Sequence, residues 1–304
     1  MRRNTLVVAL SFALLPVAAW GQQQATPSAP AAPPAQAAPA AQTQPLTTDR
    51  DVYCSGMMTT ASVSRGTEIV SGEQSMYKIS FYEGDYVYIN RGADKGVKVG
   101  DVFSVMRAVD NWTGIPWFTS QDGMMRSMGQ MWEDEGRIKV VDVHPKLSVA
   151  QIMPGSCNFM QRGDVVEPFA DREVPQLKSE TNFDRLAPPS GKKKGVVVVA
   201  KGYGIESGTN DIVYVNLGSK QGVKAGDYLR IYRYQSNEDS SVYQTPGMET
   251  SVEGYGSGPG VSPKDLPREI LGEGIVLRAT PNASTLLITL SLREIYDGDH
   301  CEIE

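Results

Sequence analysis

Histidine and cysteine, which often serve as metal ligands, catalytic bases or nucleophiles, are scarce in this chain. Its 304 residues include two histidines, His144 and His300, and three cysteines. Neither histidine pairs with a cysteine or glutamate at the spacing of a metal site. A Ser-His-Asp triad would have to be built around one of these two residues. The sequence therefore predicts a protein that is not an enzyme and that carries no cofactor and no metal.

The chain also lacks an excess of basic residues and the short motifs that bind nucleotides or activate a serine. Its formal net charge is −6, whereas a general nucleic-acid binder needs a basic face that releases counterions. It contains no G-K-[S/T] phosphate loop and no G-x-S-x-G elbow. We therefore predict no nucleic-acid partner and no hydrolase site of the elbow type.

Long apolar runs are missing as well, and the single short run lies at the N-terminus. Two arginines precede the apolar stretch Thr5–Val17, and small residues follow at Ala19 and Gly21. This pattern predicts a secretory signal peptide over residues 1–21. The run is shorter than the roughly 20 residues that span a bilayer. We expect an exported, periplasmic or envelope protein that does not span a membrane after cleavage, with a charge of −8 once Arg2 and Arg3 are removed from −6.

Residues 22–47 consist almost entirely of glutamine, alanine and proline. Such a segment has too little apolar surface to offset the entropy lost on ordering. Its proline and alanine content predicts a disordered but stretched tether.

Two glycine-rich stretches carry the clearest pattern in the chain. The sequence NRGADKGVKVGD begins at Asn90, and NLGSKQGVKAGD begins at Asn216. The longer segments Asp85–Arg107 and Asp211–Arg233 are identical at 11 of 23 positions without a gap. Weaker similarity resumes downstream and aligns Arg162–Glu167 with Asp297–Glu302. An internal repeat of this length predicts that one structural unit is built twice.

The residues on either side of each glycine-rich stretch alternate as in half-buried strands. Val87 and Ile89 share one face of the strand before the first stretch, and Val213 and Val215 match them in the second. Short strands separated by turn residues predict an all-β fold with small antiparallel barrels or sandwiches. We predict a first module at residues 48–169, a linker at 170–194 and a second module at 195–304.

The repeated stretch itself is predicted to be a rigid connection between two strands. We expect its glycines to adopt positive φ, Val97 and Val223 to fill the core, and each aspartate to accept a backbone N–H. The spacing is not that of a phosphate-binding loop, and no helix follows. The predicted turn residues are Asn90, Gly92, Gly96, Gly100, Asp101, Asn216, Gly218, Gly222, Gly226 and Asp227.

Among the three cysteines of a chain that we expect to be exported, we predict a disulfide between Cys54 and Cys157. Cys54 begins the first module and Cys157 lies near its last strand, so a bond between them would staple that module. The alternative is that all three are reduced and buried. Cys301 is predicted to be a small buried side chain.

The frame of the repeated stretch, with the following strands Gly136–Val140 and Ser148–Ala150, resembles a known domain. It is similar to the C-terminal domain of FlgT, the flagellar T-ring assembly protein of bacteria. The resemblance covers about 80 residues of each copy, and this chain differs in having two tandem copies and a tether. It implies a small exported β-barrel and, as a function, a place in a flagellar assembly.

An insertion in the first copy, Asp110–Glu135, collects most of the tryptophans and many methionines. Rigid aromatic and adaptable methionine side chains are typical of interaction surfaces. The alternative is that they cover an open end of the barrel and belong to the core. The candidate surface consists of Trp112, Trp117, Phe118, Met124, Met125 and Trp132.

These patterns favour an exported scaffold or protein-interaction module of the cell envelope, in a flagellar, pilus or secretion assembly. A first alternative is a module that binds peptidoglycan or another envelope glycan, with the tryptophans as stacking platforms. A second is an enzyme whose site has no recognisable motif. Exposed tryptophans beside a groove would favour the glycan, and a flat apolar patch would favour a protein partner.

Overall fold

The computed structural model describes residues 47–109, 116–178, 183–234 and 267–304. In these residues the chain is all-β, as predicted, with two short α-helices and two single 3-10 turns. No helix in the described part is long and apolar enough to cross a bilayer. The predicted signal peptide and the tether up to residue 46 lie outside the described residues, as does Trp112 of the candidate surface.

The second module is a closed barrel of six antiparallel strands. Its strands follow in the order β10, β12, β15, β14, β13 and β17, and β17 pairs back onto β10. They are β10 (Lys194–Ala200), β12 (Ile212–Val215), β13 (Tyr228–Arg233), β14 (Glu269–Ala279), β15 (Ser284–Ser291) and β17 (His300–Ile303). A small pair, β11 (Glu206–Ser207) and β16 (Ile295–Tyr296), flanks the barrel.

The first module repeats this strand order. Six of its strands follow as β2, β4, β7, β6, β5 and β9, and a bridge between Glu68 and Val165 joins the two edges. They are β2 (Ile69–Gly72), β4 (Tyr86–Ile89), β5 (Val102–Ala108), β6 (Gln130–Val143), β7 (Ser148–Ile152) and β9 (Val165–Pro168). The pair β3 (Ser80–Phe81) and β8 (Met160–Gln161) occupies the place of β11 and β16.

Alternation along the strands fills the two barrel interiors as predicted. Val87 and Ile89 on β4 are fully buried, as are Val213 and Val215 on β12. Each pair belongs to the main core cluster of its module. Because alternate residues of a strand point to opposite faces, the other residues of β4 and β12 lie outside the barrels.

Additional elements of the first module lie against the outside of the second. They are α1 (Asp49–Tyr53), β1 (Met57–Thr59) and α2 (Gln121–Met128), and β1 pairs with the start of β6. The hydroxyl of Tyr214 donates to Ser55 O at 2.9 Å, and that of Thr280 donates to Met58 O at 2.6 Å. Both modules belong to one compact unit.

The structure contains the predicted disulfide between Cys54 and Cys157, with Cα atoms 5.3 Å apart. It joins the end of α1 to the loop between β7 and β8, so it crosses the first module. Cys301 is a free, fully buried cysteine, and its burial raises the pKa of the thiol to about 12.

Candidate functional site

The asparagine and aspartate oxygens of the repeated turns accept hydrogen bonds within their own modules. Asp101 accepts a hydrogen bond from the backbone N–H of Lys98 at 2.9 Å, and Asp227 accepts one from that of Lys224 at the same distance. The amide oxygen of Asn90 accepts from the N–H of Glu68 at 2.8 Å. Asn216 does the same for Val196 at 2.7 Å. These hydrogen bonds hold each turn to the neighbouring backbone, which is the structural role that the sequence predicted.

The glycines of these turns serve two purposes, of which only one was predicted. Gly96 and Gly222 adopt φ of +79° and +90°, and Gly100 and Gly226 are also left-handed. Gly92 and Gly218 are extended, so the prediction of positive φ is wrong for them. A Cβ on Gly92 would lie 2.3 Å from His144 O, and one on Gly218 would lie 2.4 Å from Thr280 O. They are glycines because another backbone passes directly against them.

A second repeated feature is an ion pair that sequence analysis did not single out. Arg107 donates to both oxygens of Asp164 at 2.8 Å, and Arg233 donates to both oxygens of Asp299 at 2.7 Å. Both aspartates are buried, so each pair is a bidentate, charge-assisted contact. The alignment of Arg162–Glu167 with Asp297–Glu302 already placed these aspartates at equivalent positions, which was the available signal.

The insertion of the first module is largely core rather than an exposed surface. Phe118, Met125 and Trp132 are buried, with 7%, 8% and 3% of their surface exposed. Trp117 and Met124 are partly buried against the cluster that contains Phe118 and Met125. These residues therefore form no exposed stacking platform. They belong to the core, as the alternative predicted, but Phe118, Met124 and Met125 pack against the outside of the second barrel rather than over an open end of the first.

What the insertion covers is the outer face of the neighbouring barrel. Phe118, Met125 and Met128 pack in one cluster with Val198 and Tyr214 of the second module. Gln121 of α2 donates to Val198 O at 2.7 Å and to Asp297 at 3.1 Å. The uninterrupted run Val196–Val199 was the sequence signal, because a strand buried on both faces loses its alternation.

The equivalent outer face of the first module is exposed. Pairing registers place Val70 and Tyr88 where the second module has Val198 and Tyr214. Val70 is 41% exposed and Tyr88 is partly exposed. Tyr86, two residues before Tyr88 on the same face of β4, is 37% exposed.

The connection from β2 to β3 also exposes large apolar side chains. Met76, Tyr77 and Ile79 expose 87%, 91% and 79% of their surface. In the second module the corresponding connection carries Tyr203, whose hydroxyl lies 3.0 Å from the sulfur of Met131 in the first module. We call Val70, Met76, Tyr77, Ile79, Tyr86 and Tyr88 the apolar face of the first module. The sequence prediction missed it and assigned the candidate surface to the insertion.

Buried titratable groups occur in both modules. Burial raises the pKa of Glu135 to about 8, although the guanidinium of Arg107 lies 3.3 Å away. Burial also raises the pKa of Asp297 to about 8. His144 contacts Asp142 at 3.2 Å on the surface, and His300 stacks on Tyr232 in the other module. In the described ranges no three His, Cys, Asp or Glu side chains are arranged as metal ligands.

Comparison with known proteins adds no identification to this geometry. No protein-family model matches the chain, and no curated protein matches it significantly.

Proposed function

We propose that this protein is a non-enzymatic, exported interaction module of the cell envelope that binds a protein partner through the apolar face of the first module. The single observation that carries the proposal is the difference between the two modules. The same outer face is buried in the second module and exposed in the first.

The composition of the apolar face supports a protein partner. Soluble proteins rarely expose several large apolar side chains together unless they bind something there. Methionine side chains adapt their shape to the surface of another protein. Tyrosine side chains provide a large and rigid contact area. The elements that cover the outer face of the second module indicate what kind of partner would bind the same face of the first module. We expect a segment that presents methionine and aromatic side chains from a strand and a short helix, as the protein's own insertion does.

Export is part of the proposal and rests on two features of the chain. The N-terminal residues follow the pattern of a secretory signal, and the first module contains a disulfide. Disulfides persist in oxidising compartments such as the bacterial periplasm. The resemblance of the repeated frame to the FlgT domain makes a flagellar, pilus or secretion assembly the setting to test first.

The test is site-specific photo-crosslinking in cells of the source organism, with the crosslinker at position 77 of the full chain. We expect one discrete crosslinked protein, which mass spectrometry then identifies. The variant Met76→Ser/Ile79→Ser should remove the crosslinked product. The matched control is Leu186→Ser/Leu292→Ser, because these two leucines are also exposed, at 73% and 44%, but lie in other parts of the chain.

Three results would contradict the proposal. The first is no crosslinked protein at position 77, and the second is a product that survives Met76→Ser/Ile79→Ser. The third is sedimentation of the purified protein with insoluble peptidoglycan that these substitutions do not change, which would favour the glycan alternative. If the only crosslinked protein is a second copy of the chain, the apolar face mediates self-association and does not bind another envelope protein.

A further inference from the structure

A cavity of about 470 Å³ lies where the two modules and the linker meet. The first module contributes Ser104 and Glu167, and the linker contributes Arg172. The second module contributes Arg278 and the turn residue Lys224. One of the two repeated turns is therefore also a cavity wall. The volume is within the range of about 300–1,000 Å³ that small-molecule sites occupy.

Arg278 is the unusual residue of this cavity. Its Nη1 atom is buried and has no hydrogen-bond partner among the described residues. Burial lowers the pKa of its guanidinium to about 10, and the nearby charge of Arg172 acts in the same direction. Asp134 and Glu167 act in the opposite direction, but they do not restore the ordinary pKa. The positive charge of Arg278 is therefore incompletely compensated by the protein.

The other guanidinium of the cavity already has its counterion. Arg172 donates to the two carboxylate oxygens of Asp134 at 2.9 and 3.1 Å, and Asp134 is buried. A bidentate pair of this kind satisfies both charges. The Nη1 atom of Arg278 has no such partner among the described residues. An unpaired, partly buried cation destabilises the folded protein. An anion that enters the cavity would supply the missing acceptor.

The remaining walls of the cavity are mainly apolar, with Glu173 of the linker and Ser219 of the second module as the other polar residues. Met106 and Pro168 come from the first module, and Val223 and Leu277 come from the second. Inorganic ions would leave most of this surface and volume unused. A ligand with an acidic group and an apolar part would contact both kinds of wall.

We propose that the cavity binds a small organic anion, whose carboxylate or phosphate group accepts hydrogen bonds from Arg278 and whose apolar part lies against Leu277 and Val223. The guanidinium of this site has no counterpart in the first copy of the repeat. The position equivalent to Arg278 in the first module is Asp142, which is exposed and contacts His144. This site is independent of the apolar face, so the two proposals can fail separately.

Isothermal titration of the full chain with hexanoate, hexyl phosphate and acetate tests the proposal. We expect saturable binding of hexanoate or hexyl phosphate, and the tighter of the two identifies the acidic group. Acetate should bind at least about tenfold more weakly than hexanoate, because its missing methylenes cannot contact the apolar walls. Arg278→Met should weaken binding by about tenfold or more, as expected for the loss of a charged hydrogen bond.

A steric variant provides a second test that leaves all charges in place. Ala225→Trp puts a bulky side chain at the cavity wall, and it should abolish binding. The matched control is Val99→Trp at the equivalent turn position of the first module, where the side chain is 65% exposed. That control should bind like the unmodified protein.

Two results would overturn the proposal. One is the absence of saturable binding for all three anions. The other is binding that is equal in the unmodified protein and in Ala225→Trp, because the ligand would then lie elsewhere. If Arg278→Met does not fold, the pair Ala225→Trp and Val99→Trp decides the question.

Discussion

Single glycines in the repeated turns are constrained in two physically different ways. Gly96 is limited by its backbone angle, since φ is +79° and no atom lies within 4 Å of the place that a Cβ would occupy. Gly92 is limited by space, since an added Cβ would meet three backbone atoms of residues 144–147 at 2.3–2.7 Å. A left-handed angle can be tolerated at a cost of about 1–2 kcal/mol, whereas backbone overlap forces the adjoining loop to move.

We predict that Gly92→Ala lowers the free energy of unfolding by more than Gly96→Ala does. Gly96→Ala should cost about 1 kcal/mol, and Gly96→Val more, because the left-handed angle disfavours any Cβ. Gly123→Ala is the control, since Gly123 lies in α2 with open space around it. It should be neutral or slightly stabilising. Urea unfolding of the four variants measures the order, and a Gly92→Ala protein as stable as the parent would contradict the explanation.

The carboxyl group of Asp297 makes the stability of the protein depend on pH. Burial raises its folded-state pKa from 3.8 to about 8. Between these values the unfolded chain has lost the proton and the folded chain retains it, so stability falls as the pH rises. The contribution is fully present below about pH 4 and is lost by about pH 8. The maximal slope for one group is about 1.4 kcal/mol per pH unit.

We predict that Asp297→Asn reduces the loss of unfolding free energy between pH 5 and pH 8. Asparagine keeps an oxygen that accepts the hydrogen bond from Gln121, so the contact itself is retained. The raised pKa of Glu135 also makes stability fall as the pH rises. The slope of unfolding free energy against pH should therefore decrease in Asp297→Asn without vanishing. Urea unfolding at several pH values gives the slope, with the exposed Asp94→Asn as the control. Identical slopes for Asp297→Asn and the parent would refute the assignment.

At the scale of elements, the disulfide closes a long segment of the first module. Cys54 and Cys157 are separated by 103 residues, and the bond fixes the end of α1 beside the loop after β7. In the chain-entropy account, a bond that closes so long a segment removes many conformations of the unfolded state. The bond therefore stabilises the elements that cover the second module, because they begin at α1.

We predict that Cys54→Ala/Cys157→Ala lowers the free energy of unfolding by about 2–5 kcal/mol. A reductant should lower the Tm of the parent protein and leave that of the variant unchanged. Cys301 remains free and buried in both proteins, so it serves as an internal control. Non-reducing mass mapping of exported protein should show the linked peptide. Two free thiols at positions 54 and 157 in that experiment would contradict the pairing.

Elements whose residues repeat or alternate were predictable from the sequence. The turns follow from the shared asparagine, glycine and aspartate positions, and the core strands follow from Val87, Ile89, Val213 and Val215. The apolar face could not be located in this way, because alternation does not show which outer face another element covers. Val70 and Val198 have the same residue type and equivalent strand positions, yet only Val198 is covered.

For the molecule as a whole, the two modules share one apolar cluster rather than a flexible joint. Met58, Phe118 and Met128 of the first module pack with Val198, Val199 and Tyr214 of the second. These side chains are removed from contact with water only when both modules are folded and packed together. At about 1.5–3 kcal/mol for each fully buried side chain, this interface is comparable to the stability of a domain. The two barrels are therefore coupled in unfolding.

We predict that the chain without residues 1–46 unfolds in a single calorimetric transition, with equal calorimetric and van't Hoff enthalpies. Met128→Ala removes a side chain with no exposed surface, and it should cost about 2–5 kcal/mol. Because the cluster is shared, the variant should lower the Tm of both modules together, and hydrogen exchange should speed up in β10 as well as in β6. Met76→Ala changes the same residue type where 87% of the side chain is exposed, and it should leave the Tm unchanged. Two transitions, with only the first module shifted by Met128→Ala, would mean that the barrels fold independently and that the cluster adds little to either.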